Sequence, residues 1–226
     1  MTILVDHGAP GRAISIYRSI SPADASDALT DAYATALESA GDKKALAAAL
    51  REQLPRTTGT RRLQRFAQLA EGAGDPELEW QILDKLVAAG EDTPKLQRRL
   101  GALAFQRHNM KAAEQHLSRF VAATGGDYET LMLLGNIAVR KREADTAQAW
   151  FAKGLQKLEQ SGDHSFRART VEANLMHRLG QDDAAVHLYE TLLAERPTDL
   201  NLRADFVAML MEQGSLRRAR AVLAQQ

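Results

Sequence analysis

The sequence predicts an all-α solenoid of repeated helix–turn–helix units, and three observations carry that reading. Identical small residues recur 34 positions apart. Apolar residues follow the 3.6-residue helical period, as in Leu131, Leu134 and Ala138. Alanine, the strongest helix former, occurs 39 times, while β-branched alternation is nearly absent.

The units follow in chain order from that spacing. Residues 1–21 read as the tail of a unit, with Gly8, Ala13 and Tyr17 in its turn and second helix. The unit at 26–59 matches weakly and turns at Ala40-Gly41-Asp42, shifted by one residue. The unit at 60–93 turns at Gly72-Ala73-Gly74 and has Glu79, beside Trp80, where the other units have alanine. Units 94–127 and 128–165 share Leu100-Gly101 with Leu134-Gly135, and Ala113 with Ala147, all at 34. The next step is 38, which places a short insertion around Glu159 to Ser165. Units 166–199 and 200–226 share Gly180 with Gly214 and Ala185 with Ala219. In the former, a turn at Gly180-Gln181-Asp182-Asp183 precedes an amphipathic stretch, Ala184 to Glu195, and Pro197 stops it. The aspartates are expected to cap the next helix.

The alanines have a packing reason. Ala113, Ala147, Ala185 and Ala219 mark where the second helix crosses the first, and a small side chain lets the backbones approach. Leu117, Phe151, Tyr189 and Leu223, four residues on, are predicted to fill the space behind. One helix pair cannot bury its apolar face, so neighbouring pairs must stack.

Composition excludes several function classes. The 226 residues contain no cysteine, so no disulfide scaffold or thiolate site forms. Lys+Arg and Asp+Glu both number 29, so there is no global basic field for nucleic acid, and 5% aromatics leave few rings for stacking bases. No apolar run reaches membrane-helix length. The start, Met1 to His7, lacks a signal-peptide pattern. The six histidines, His7, His108, His116, His164, His177 and His187, include no metal-binding pair at i, i+4 spacing. Nothing resembles a nucleophile elbow, a phosphate loop or a general acid/base pair. The expectation is a non-catalytic chain without metal or cofactor. Trp80 and Trp150 read as inter-repeat packing, with stacking on a sugar ring as the sharper alternative.

The period, the Leu-Gly pairs, the turn glycines, the second-helix alanines and Pro197 together resemble the tetratricopeptide repeat family over essentially the whole chain. The resemblance implies about thirteen helices in a single right-handed superhelix over 1–226. Neither end reads as a polar cap, which predicts a cut from a longer array, with a short protein that dimerises through its bare ends as the alternative. In this family, first helices line a concave groove through positions 2, 5, 6, 9, 12 and 13 of each repeat. Those positions here are acidic at the ends and basic in the middle. Asp27, Thr30, Asp31, Ala34, Leu37 and Glu38 stand at one end, and Asp205 and Glu212 at the other. Between them lie Arg61, Arg65, Lys95, Arg98, Arg99, Phe105, Glu129, Met132, Leu133, Asn136, Arg140, Arg167, Asn174, His177 and Arg178. The basic and amide residues of this set are the expected partner-binding site, a cradle for an acidic protein segment, with a solvated charged face as the bland alternative. The family's carboxylate clamp is absent, because Met132, Val171 and Asp205 replace its required residues.

A finer resemblance lies in Gly11 to Tyr17 and Ala147 to Gly154, which are similar to the repeat region of the Pel exopolysaccharide export proteins of pseudomonads. It implies a periplasmic scaffold, tied to the outer membrane only through the rest of its parent chain. Such a scaffold docks a polysaccharide deacetylase or hydrolase and guides polymer. Partly deacetylated polymer is cationic and a basic groove repels it, so the enzyme is expected against Arg61, Arg65, Arg98 and Arg99. The alternatives are a cytoplasmic adaptor for an acidic peptide and direct glycan binding.

Overall fold

The computed structural model describes residues 9–20 and 26–224. Among them are thirteen α-helices, one 3₁₀ turn and no strand. Helix α1 is Pro10–Arg18. First and second helices then alternate through six repeats. These are α2 (Asp27–Ser39) and α3 (Lys43–Gln53), α4 (Thr60–Ala73) and α5 (Pro76–Ala88), and α6 (Pro94–Gln106) and α7 (Met110–Thr124). They continue with α8 (Tyr128–Arg140) and α9 (Ala144–Ser161), α10 (Phe166–Arg178) and α11 (Asp182–Glu195), and α12 (Leu200–Glu212) and α13 (Leu216–Ala224). Packing divides the chain into two compact units, Met1–Leu96 and Gln97–Gln226, with the boundary inside α6.

All six turns between first and second helices are built alike. The backbone N–H five residues beyond the acceptor closes each one: Asp42 onto Leu37, Asp75 onto Ala70, Asn109 onto Ala104, Glu143 onto Ala138, Gln181 onto Met176 and Ser215 onto Leu210. This is the six-to-one bond of a Schellman ending, which needs a left-handed residue just before the donor. Gly41, Gly74, Gly180 and Gly214 supply it in four repeats, and His108 and Arg142 supply it at φ 57° and 62° in the other two. Side-chain oxygens of Asp42, Asp75 and Asn109 cap the helices that follow. Asp182 departs from its expected capping role. Gln181 holds the cap position, and Asp182 sits in the first helical turn bonded to His177.

The same bond fixes the register of the first repeat. Its acceptor is the eleventh residue of the other five repeats, so Leu37 is the eleventh of the first, which counts from Asp27 rather than Ser26. Thr30, Ala34 and Leu37, expected on the groove, are therefore buried, at 5%, 3% and 0% exposure. Asp31, Thr35 and Glu38 take the outward places.

In unit 1, α1 packs on α2 through stacked Tyr17 and Tyr33 rings, centroids 3.9 Å apart. Consecutive helices from α2 to α5 pack pairwise. Lys85 reaches back from α5 and donates to the carbonyls of Leu54 and Thr57, at 2.7 and 3.2 Å, holding the connection between the first two repeats.

In unit 2, the first-helix glycines carry the close approach. A Cβ on Gly135 would lie 2.3 Å from Phe151 Cε1, and one on Gly101 would lie 2.4 Å from Leu117 Cδ2. The large residue of the second helix thus sits directly against a bare backbone in the first. Leu117, Phe151 and Tyr189 are buried as expected, but Leu223 is 58% exposed. The difference is cover: Tyr189 stacks on Phe206 of the following repeat, and among the described residues no helix follows α13. The insertion forms no separate loop. It lengthens α9 to 18 residues, against 15 in α7, and adds one residue to the connection that follows. Tyr128 secures that connection by donating to Asp163, at 2.9 Å.

Candidate functional site

In unit 2, α8, α10 and the stretch of α6 from Arg98 onward form the walls of a groove with a cavity of about 280 Å³. Helical spacing turns Met132, Leu133 and Asn136 to one side of α8, and Asn136 and Arg140 continue that stripe toward its C-terminus. The floor is apolar, made by Ala102, Phe105, Met132, Leu133 and Val171. The rim is charged, made by Arg98, Arg99, Glu129 and Arg167.

Those charges are largely spent on one another. Arg98 Nη2 donates to Glu129 at 2.6 Å, and its Nε lies 2.6 Å from Asp127. Arg167 Nε donates to the other oxygen of Glu129 at 2.5 Å. One carboxylate therefore bridges two guanidinium groups from the repeats on either side, and the Arg98–Arg167–Asp127–Glu129 cluster is neutral. Arg178 donates to Glu212, at 2.9 Å, across the next seam. In unit 1, Arg65 donates to Glu38, at 2.8 Å. Of the expected basic cradle, Arg65, Arg98, Arg167 and Arg178 are thus paired with carboxylates of neighbouring repeats. Each exposed pair contributes only about 0.2–1 kcal/mol, but together they fix the seams.

The remaining expected residues divide as follows. Asn174 is committed to Tyr189, donating to its hydroxyl at 3.3 Å. Arg99 lies on the groove rim with a partner of its own. Arg61 and Lys95 are exposed in unit 1 and make no ion pair among the described residues. Arg140 makes none either; its guanidinium lies over the Phe105 ring, 5.6 Å from the centroid. Asn136, half-buried, has no hydrogen-bond partner among the described residues. Among the described residues, Arg140 without an ion pair and the free amide of Asn136 thus stand beside the apolar floor of the unit 2 groove. Sequence reading missed the pairing, although a signal was present: Arg98 and Glu129 stand 31 residues apart, close to one period.

No group of three or more potential metal ligands occurs among the described residues, and no helix there is long and apolar enough to cross a membrane. Trp150 is half-buried against Ala147, Phe151 and Leu175, with the Lys153 ammonium 5.7 Å from its ring, a packing role. His177 lies between two carboxylates, with Nδ1 2.8 Å from Asp182 and Nε2 3.1 Å from Glu212.

The fold places this chain among helical-repeat proteins. A tetratricopeptide repeat protein from Parabacteroides merdae superimposes with a TM-score of 0.65 at 16% identity, over 98% of this chain and 89% of that one. Pseudomonas aeruginosa pilF gives 0.54 at 17% identity, over 89% and 90%. A chain of the APC/C hetero-tetramer Cut9–Hcn1 gives 0.57 at 16%, over 99% of this chain but 45% of its own length. The chain thus has the all-α repeat fold of tetratricopeptide repeat proteins. No family model matches the sequence, and no curated protein matches it.

Proposed function

We propose that the chain is a non-catalytic scaffold whose α6–α8–α10 groove seats a segment of a partner protein. The observation that carries this reading is the apolar floor of Phe105, Met132 and Leu133 beside unpaired Arg140 and Asn136. An apolar anchor of the segment fills the floor, an acidic side chain meets Arg140, and Asn136 bonds the segment's backbone. The neutral Arg98–Arg167–Asp127–Glu129 cluster leaves the apolar anchor as the main source of affinity, with charge setting orientation. Arg99, on the rim of the same groove, stays in the proposal as a secondary contact, and Arg61 and Lys95 remain a separate proposed contact surface of unit 1.

The finer reading places the chain in the periplasm within a Pel-type exopolysaccharide export machine, with a polysaccharide-modifying enzyme as the partner. It rests on the sequence resemblance of Gly11 to Tyr17 and Ala147 to Gly154 alone. A cytoplasmic adaptor for an acidic, apolar-anchored peptide is the competing setting.

A photo-crosslinking residue at Met132 tests the groove. Adducts with one defined protein, abolished by Leu133→Glu and reduced by Arg140→Glu, are expected. Adducts that survive both changes move the interface to another face. Identification of the captured protein as a periplasmic carbohydrate-modifying enzyme or a cytoplasmic protein decides the setting.

A further inference from the structure

Two turns of unit 2 hold a residue with a side chain in the left-handed backbone that glycine supplies elsewhere. They are His108 at φ 57° and Arg142 at φ 62°, at equivalent places in the third and fourth repeats. That conformation is costly for any residue with a Cβ. Nothing within the molecule offsets the cost. Both side chains are exposed, and neither makes a hydrogen bond, ion pair or ring contact among the described residues. Both turns have described repeats on either side, and turns project from the edge of a helical stack rather than from its ends.

The same edge carries free positive charge. Lys111, in the first turn of α7, is exposed and makes no ion pair among the described residues. Arg140 lies over Phe105 without a carboxylate. Lys141 is taken by Glu114 and Glu143, each at 2.9 Å, and Arg107 has a partner of its own. Asp145 is the exposed acid at these turns. Lys111, Arg140 and Arg142 therefore outweigh it.

The groove leads to this edge. Along α8, the stripe of Met132, Leu133 and Asn136 continues through exposed Val139 to Arg140. The other end of the groove holds the neutral Arg98–Arg167–Asp127–Glu129 cluster. A segment anchored on the floor thus finds unpaired cations only toward the turns.

We propose that the turn edge of the third and fourth repeats, His108, Lys111, Arg140 and Arg142, binds an acidic run of the partner protein. The run adjoins the apolar anchor, and in that clause alone the proposal rests on the groove reading. Guanidinium, ammonium and imidazole N–H groups donate to its carboxylates. Packed helices lie roughly 8–10 Å apart, which an extended chain covers in about three residues, so carboxylates at that spacing reach both turns.

Fluorescence anisotropy tests this with short fluorescein-labelled peptides that carry one leucine followed, or preceded, by a run of glutamates. Saturable, salt-sensitive binding is expected. His108→Gly and Arg142→Gly should each weaken it about threefold, and together about tenfold, while raising the melting temperature. Arg142→Lys should retain binding. Arg119→Ala, about two and a half turns into α7, should leave it unchanged. Glycine variants that gain stability and keep full affinity overturn the proposal, and the groove reading then stands if Leu133→Glu still abolishes binding. Binding that survives Leu133→Glu but is lost in the double glycine variant supports the edge and refutes the groove. An equal loss in Arg119→Ala, or no saturable binding of either peptide up to about 1 mM, overturns the edge.

Discussion

Gly135→Ala is the most informative single change in the chain, because two physical effects oppose each other there. In a free helix this substitution stabilises by about 1 kcal/mol, since alanine loses less backbone entropy than glycine. Here the added Cβ would lie 2.3, 2.5 and 2.8 Å from three ring carbons of Phe151. Ordinary carbon contacts are about 3.5–4.0 Å, so the ring or α8 must shift by roughly an ångström. Phe151 is 2% exposed and packs with Ala138, Ala147 and Leu175, which leaves the ring no free direction. Overpacking of this kind costs about 1–3 kcal/mol. The net expectation is destabilisation by about 0–2 kcal/mol once the helix-propensity gain is taken off. Urea denaturation followed by circular dichroism measures it. Gly72→Ala is the control, since nothing lies within 4 Å of a Cβ at that helical site, and a small stabilisation is expected. Adding Phe151→Leu to Gly135→Ala should recover part of the loss, because the second repeat already pairs Ala67 with Leu83. A stabilised Gly135→Ala protein would refute the claim that the bare backbone of α8 is what admits Phe151.

Other expectations follow from the same geometry. His108→Gly and Arg142→Gly should each stabilise by about 0.5–1 kcal/mol, because a left-handed conformation costs a side-chain-bearing residue about 1–2 kcal/mol; thermal denaturation checks this. Lys85→Met should cost about 1–3 kcal/mol by orphaning the carbonyls of Leu54 and Thr57, and hydrogen exchange should rise first at the connection between repeats one and two. The hydrogen bond from His177 holds the Asp182 carboxyl below its usual range. Its stabilising contribution is therefore complete above about pH 4 and lost as pH falls through the lower folded value, so Asp182→Asn should flatten the acid limb of a stability profile. Burial and the bond to Asp163 push the Tyr128 hydroxyl up to about 12, so its contribution is present below about pH 10 and lost as pH rises toward that value. Tyr128→Phe should remove the corresponding ultraviolet transition. Glu129→Gln should free Arg167, leave Arg98 with Asp127 alone, and tighten salt-sensitive binding of an acidic, apolar-anchored segment in the groove.

How much of this was legible in one dimension varies with the range of the interaction. The repeat was plain because each helix pair must solve the same local problem. A glycine or alanine is needed where backbones touch and a large residue four positions beyond the alanine, and that demand writes a period into the chain. The turns were half legible. Four announce themselves by glycine, whereas His108 and Arg142 adopt the same left-handed backbone without a compositional sign. The first repeat was displaced by one residue because its register depends on the bond from Asp42 to Leu37, and Thr30, Ala34 and Leu37 moved inside as a result.

The charges show the limit most clearly. Residue types and spacing determined that the chain is all-α, that it repeats, and that Arg98, Arg140 and Arg167 stand on first helices. Whether a guanidinium is available is a property of what lies a few ångströms away in the next repeat, and only the tertiary structure decided it. Asp127 and Glu129 together neutralise Arg98 and Arg167, while Arg140 rests over Phe105 without a carboxylate. Leu223 makes the same point for apolar side chains. Its sequence position matches Tyr189, but burial depends on whether a neighbouring helix covers it, and Phe206 covers only Tyr189. Helix formation and pairing are set by interactions within about four residues, which a sequence displays directly. Ion pairing and seam burial arise between residues about 30 apart, where the partner is chosen by packing.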